Sequence, residues 1–275
     1  PMTAERFPQS PAATAALTVA TKFYSPALLN HCVRSYLWGA KYAAAHNITF
    51  DDELYYVSAM LHDIGLTEVF DSHTVAFEVA GGDLAWVFGV ATGWPVDRAA
   101  RAAEIIVLHM RHDVPASADP ESHLLQVATS WDVVGRRPEE FTPEARAEIL
   151  ARYPRQGFSA EFVACFEDQA SRKPGTAAAA SIANDGARRI AANPRALGAT
   201  PEGDLLVEAL ASLERMATEQ ERRPLRAWLD DLEAPPGTLF VAGGAGLAAA
   251  PSRTLGRLGA TTDAAPPARL AVEVA

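Results

Sequence analysis

Apolar residues return along this chain every three or four positions, the period that gathers them on one face of an α-helix. Leu54, Val57, Leu61 and Ile64 form one such seam, and Leu29, Val33, Leu37 and Ala40 form another. Val96, Ala99, Ala103, Val107 and Met110 make a third, while Leu125, Ala128 and Thr129 share a fourth face. Between the seams stand helix start and stop signals. Ser25-Pro26 is an N-cap followed by proline at the first helical position, predicting a helix to about Ala45. Thr49-x-x-Asp52 fits a capping box before a helix ending near Gly65, a residue suited to the left-handed position after a helix. Further helices are predicted from Ser72 to Val90, from Trp94-Pro95 to Arg111 and from Asp119-Pro120 to Gly135. Three more run from Thr142-Pro143 to Tyr153, from Ser159 to Lys173 and from Thr176 to Asn193-Pro194. Strand-like alternation is nearly absent over this stretch, so an all-α bundle is expected, in a helical domain over 20–195. Residues 196–275 read as a C-terminal extension. Its first part, Gly203 to Glu233, is helical in pattern although Pro224 should break or kink it, and the Ala/Gly/Pro-rich remainder is expected to be a mobile tail.

Composition narrows the class. Of 275 residues, 49% are apolar and 21% charged, as in a globular protein, and the net charge of −10 argues against a general nucleic-acid or anionic-membrane binder. Cys32 and Cys165 are too few for a disulfide framework and read as a reduced pair. No apolar run nears the roughly 18 residues of a membrane span, and the opening PMTAERFPQS has no secretory pattern. The expectation is a cytoplasmic protein acting on a small molecule, without nucleic-acid or membrane partners. Leu205, Leu206, Leu210 and Leu213 leave a homo-oligomer open.

Five ionisable residues fall on or beside faces that should be buried. His31 shares a face with Leu28, Ser35 and Gly39; His62 and Asp63 lie beside the Leu54–Ile64 seam; His109 follows Ala102 and Ile105; Asp132 follows Leu125, Ala128 and Thr129. An aspartate at a helix C-terminus, where partial negative charge collects, asks for a cation nearby. Burying a carboxylate costs several kcal/mol, on the order of the desolvation of an ion, unless it is paired or bound to metal. Each histidine alone is more simply a core residue. Together they form a mixed nitrogen and oxygen donor set that suits Zn, Fe, Mn or Co. A second His-Asp pair, His112-Asp113, sits among polar residues before Val114-Pro115 and reads as a solvated turn.

A histidine, then a His-Asp pair, then a distant aspartate resembles the HD superfamily of metal-dependent hydrolases. Here the set is His31, His62-Asp63 and Asp132. The stretches SPALLNHCVRSYLWG, AMLHDIGLTEVF, FEVAGG, EIIVLHM and HLLQVATSWDVVG are similar to the cyanamide-hydratase-type branch, over roughly residues 20 to 195. The resemblance implies one divalent ion, zinc favoured with Fe, Mn or Co also allowed, held by His31, His62, Asp63 and Asp132. It matches His109 to a histidine that serves a second ion in some relatives. His73, His46 and His123 read as surface groups, so no second ion is expected, and Glu78 is left between cavity and surface.

The chemistry so implied is addition of water, activated by the ion, to a small nitrile such as cyanamide, giving urea. His109 would shuttle a proton and Asp63 would hydrogen-bond the nucleophile. Tyr36, Trp38, Phe77, Trp86 and Trp131 are candidate pocket walls, although aromatics at helical spacing are usually core. Three other readings stay open: phosphoester hydrolysis, a di-iron oxygenase, and a non-catalytic helical protein with a structural metal. For the first, Arg34, Lys41, Arg98 and Arg101 are the available cations, with Arg34 and Lys41 read as solvated.

Overall fold

The computed structural model describes residues 7–111, 114–136, 140–193, 238–242, 261–263 and 269–273. The chain forms two compact units, Pro1–Pro201 and Glu202–Ala275. The described part of the first unit is helical throughout. Its helices are α1 (Pro11–Phe23), α2 (Pro26–His46), α3 (Asp52–Leu61), α4 (Phe77–Ala91), α5 (Val96–Leu108), α6 (Pro120–Val134), α7 (Pro143–Arg152), α8 (Phe158–Arg172), α9 (Ala177–Ala183) and α10 (Gly186–Ala191). The expected all-α bundle is therefore what forms. Four helices begin with the same device: Ser10, Ser25, Asp119 and Thr142 each accept a hydrogen bond from the backbone N–H three residues on, and proline follows.

Helix α2 runs through the middle, buried at every position from His31 to Gly39, and packs on α3, α6 and α8. A helix buried all round has no solvent face to shed its polar groups onto, so His31, Arg34 and Ser35 must find partners inside. Helices α4 and α5 form an antiparallel pair beside α3. Gly65 is where the chain turns from α3 towards α4. It lies in a single 3₁₀ turn, Ile64–Leu66, and not in the left-handed position expected of it. Its lack of a side chain serves close approach: a Cβ there would stand 2.2 Å from the Phe77 carbonyl oxygen.

Several boundaries differ from the sequence reading. Helix α1 was not foreseen, because PAATAALTVATKF carries its buried face on Ala12, Ala13, Ala16 and Ala20 alone. The cap of α3 is Asp51, whose carboxylate accepts from Leu54 N–H, and not Thr49. Helix α4 starts at Phe77 instead of Ser72, and the last predicted helix divides at Asn184-Asp185 into α9 and α10. On α5 the buried residues are Ala99, Ala102, Ile105 and Ile106, while Val96 is exposed, so the true seam is rotated from the predicted one towards His109.

In the second unit the described residues form a three-stranded antiparallel sheet in the order β1-β3-β2, of β1 (Thr238–Ala242), β2 (Thr261–Asp263) and β3 (Arg269–Glu273). Phe240 stands opposite Ala271, and Thr262 opposite Leu270. These strands fall in the stretch expected to be a tail, and the helix predicted over 203–233 lies outside the described residues. Among the described residues no helix is long and apolar enough to cross a membrane.

Candidate metal centre

Three helix segments bring the donors together. His31 comes from the buried middle of α2, while His62 and Asp63 sit where α3 ends and the 3₁₀ turn begins. His31 Nε2 lies 3.3 Å from His62 Nε2 and 3.4 Å from Asp63 Oδ2, and His62 Nε2 lies 3.2 Å from the same oxygen. All three residues are at most 1% exposed.

The hydrogen bonds behind these atoms decide what they carry. His62 Nδ1 lies 2.8 Å from the Ala59 carbonyl oxygen, which only accepts, so Nδ1 holds the proton. His31 Nδ1 lies 2.7 Å from Asp132 Oδ2 and donates likewise. Both Nε2 atoms then present lone pairs to each other and to Asp63, whose two oxygens are buried without any hydrogen-bond partner. Three lone-pair donors so close inside a protein repel unless a proton or a metal ion lies among them. Donors 2.0–2.1 Å from a tetrahedral ion stand about 3.3 Å apart, the spacing found here. The residues fit a divalent ion.

Electrostatics agree. Burial works against charge on His62, but the Asp63 carboxylate beside it raises His62 well above the usual range. Burial likewise works against the Asp63 anion, yet His62 brings it down to about 2. The field that favours a proton at this point favours a metal ion there too. His31 is lowered by burial, which outweighs the attraction of Asp132 and Asp63.

Asp132 stands behind this group and not within it. Its Oδ1 accepts from Arg34 Nε at 2.9 Å and Trp38 Nε1 at 3.0 Å; its Oδ2 accepts from Arg34 Nη2 at 2.8 Å and His31 Nδ1 at 2.7 Å. A carboxylate offers about four lone-pair sites, and all are used. The three residues grouped as metal donors are accordingly His31, His62 and Asp63, without the expected fourth. What Asp132 does instead is orient: it holds the His31 tautomer, and Phe158 stacks on that ring at a centroid distance of 4.4 Å. Burial penalises the Asp132 anion, but Arg34 and then Arg155 keep its pKa well below the ordinary value. Arg34, read from the sequence as solvated, is fully buried, its Nη1 donating to the Tyr153 carbonyl. Its spacing of three residues from His31 on an apolar helix was the available signal.

His109 ends α5 with its ring 5.0 Å, centroid to centroid, from that of His62. Its Nδ1 bonds the Ile106 carbonyl, leaving Nε2 without the proton. Burial, reinforced by His62, pushes it down to about 3, so it is neutral at ordinary pH. Glu78 is buried as well, with Oε2 lacking a partner, and burial raises its pKa.

His31, His62, Asp63, Glu78 and His109 all line one cavity of about 860 Å³. Its aromatic walls are Phe162 and Phe166, and none of the five aromatics named from the sequence lines it. Trp38 and Trp131 pack on each other in the core, whereas Trp86 is exposed. Of the other histidines, His46 pairs with Glu140, His123 bonds the Val114 carbonyl, and His73 is exposed. His112-Asp113 lies outside the described residues. Lys41, Arg98 and Arg101, offered as cations, are committed to Glu148, to Asp51 with Glu53, and to Asp119.

Two imidazoles and a bare carboxylate enclosed in a helical bundle make a donor set suited to a divalent ion. Over residues 28–147 the chain matches the HD domain family model. It is 27% identical over 191 residues to cyanamide hydratase DDI2 of Saccharomyces cerevisiae, covering 68% of this chain and 84% of the relative. Cyanamide hydratase DDI3 of the same yeast matches at the same identity and coverage.

Proposed function

We propose that the protein adds water to a small nitrile, with cyanamide to urea as the reaction to test first, at a divalent ion held by His31, His62 and Asp63. One observation carries this reading: three donors 3.2–3.4 Å apart, with both Asp63 oxygens unsatisfied in the interior. The relatives named for cyanamide hydration support the nitrile. Zinc suits the donors best, and Fe, Mn or Co accept the same set.

The ion, when bound, supplies Lewis acidity that lowers the pKa of a water and polarises an electrophilic carbon. The remaining work falls to the chain. Asp132 and Phe158 hold the His31 ring so that Nε2 faces inward. His109, its Nδ1 proton committed to Ile106, takes a proton from the attacking water at Nε2 and delivers it to the nitrile nitrogen. One oxygen of Asp63 accepts a hydrogen bond from that water and aligns it. Hydroxyl is thus added at carbon and hydrogen at nitrogen, and the product tautomerises to the amide, without a leaving group.

The test is metal analysis of the purified protein, followed by urea release from cyanamide and p-nitrophenol release from p-nitrophenyl phosphate. The expected result is about one ion per chain, urea formed and the aryl phosphate untouched, with His62→Ala losing both ion and activity. Hydrolysis of the aryl phosphate alone would replace the reading with phosphoester hydrolysis. A bound ion with neither reaction would mean a different substrate or a structural metal.

A further inference from the structure

The cavity is too large and too polar at its mouth for cyanamide alone. Cyanamide has only a few non-hydrogen atoms, whereas pockets of roughly 300–1,000 Å³ enclose ligands of drug size, and this one holds about 860 Å³. Exposure rises along it. His31, His62 and Asp63 at its base are at most 1% exposed, while Arg111 and Arg136 are exposed and Arg189 is half-buried. These three guanidiniums come from separate places, just beyond α5, just beyond α6 and within α10, yet all line the same space.

Like Arg146, these three form no ion pair among the described residues, but unlike it they line the cavity. Arg34, Arg98, Arg101, Arg155 and Arg172 each form an ion pair, as expected where carboxylates outnumber cations by 34 to 24. Among the described residues Arg111, Arg136 and Arg189 form none. Arg111 feels the Glu78 carboxyl only at longer range. Arg189 Nε is buried without a hydrogen-bond partner, as are Arg146 Nε and Arg155 Nε, and of the three only Arg189 lines the cavity. Polarity therefore runs along the cavity, with the Asp63 and Glu78 carboxyls in its buried part and guanidiniums at its rim.

We infer that the cavity takes an organic anion larger than cyanamide, its apolar body against Phe162 and Phe166 and its carboxylate against the rim arginines Arg111, Arg136 and Arg189. Guanidinium forks match a carboxylate in two parallel hydrogen bonds, and a rim held by three elements turns the uncharged, reacting end of the ligand inward. The inference rests on the hydration reading only for what happens at that inner end.

Isothermal titration with 4-cyanobenzoate and its uncharged counterpart 4-cyanobenzamide tests it on the full-length protein. The acid should bind about tenfold or more tighter than the amide, the increment of a charge-assisted hydrogen bond, and added salt should narrow the difference. Arg189→Gln and Arg136→Gln should each reduce the acid-to-amide affinity ratio several-fold, and the double variant should bring it near one, with circular dichroism verifying the fold. Equal binding of acid and amide by the parent protein, binding of neither, or a ratio untouched in the double variant overturns the inference. Hydration of the bound nitrile is scored separately. Binding with the expected ratio but no hydration sinks the reaction proposed above and leaves this inference standing; urea from cyanamide without binding of the acid does the reverse.

Discussion

Two aspartates at the centre of the bundle differ in what their oxygens already hold. Asp132 is saturated by Arg34, Trp38 and His31, and Asp63 accepts from no group. Changing Asp132 to Asn would leave Arg34 as a buried charge without its counter-ion, and breaking such a pair costs about 3–5 kcal/mol, readable as a lower urea midpoint. Under the proposed reading Asp132 acts on the ion through His31, and the same change should weaken metal binding by about 10–100-fold without abolishing it. Asp63→Asn should abolish it. Competition with a chromophoric chelator measures both, and equal loss in the two variants would make Asp132 a ligand. The sequence marks both residues as buried acids by their apolar neighbours. It does not separate their roles, because that depends on Arg34 and Trp38 reaching across from another helix.

At the level of elements, the junction of α3 with α5 shows how local and non-local forces meet. Asp51 caps α3 through Leu54 N–H at 3.0 Å, and its carboxylate also takes Arg98 Nη1 at 2.5 Å and Nη2 at 2.9 Å from α5. Asp51→Ala should destabilise by about 1 kcal/mol, the usual value of an N-cap, seen as a lower Tm. Asp51→Asn keeps the cap and removes the charge. The Arg98 hydrogen bond outweighs partial burial and lowers the Asp51 pKa. A carboxyl lowered on folding contributes stability above its unfolded pKa, about 3.9. The contribution is lost as pH falls through the lower folded value. Parent and Asn variant should therefore differ fully above about pH 4 and converge on acidification; a gap widening in acid would contradict the assignment. The caps with a following proline at Ser25, Asp119 and Thr142 are legible because they act within four residues, whereas the sequence reading misses Ser10-Pro11 and puts the α3 cap at Thr49. Gly65 was assigned the wrong task because the Phe77 carbonyl it must clear belongs to another element.

For the helical unit as a whole, the candidate metal centre and the fold are one system, since α2 and the end of α3 supply the donors and α5 packs against α3. Removing divalent ions with a chelator should lower stability by about 2.7 kcal/mol relative to protein with free ion at a hundred times its Kd. For a helical unit of this size that is about 5–10 °C in Tm, restored on adding the ion back. His62→Ala should show no such shift; an equal shift in that variant would place the ion elsewhere.

The apolar period, the capping residues and five ionisable groups in apolar settings specify, by themselves, a helical bundle with acids and imidazoles inside it. Those signals are local, carried by residues within a turn or two of one another. Which imidazole faces which carboxylate, which aspartate is left bare, and which arginines remain unpaired beside the cavity were decided only when α2, α3, α5, α6 and α10 came together. The physical reason is that a side chain's role here follows from the partners of its oxygens and nitrogens, and those partners lie tens of residues away along the chain.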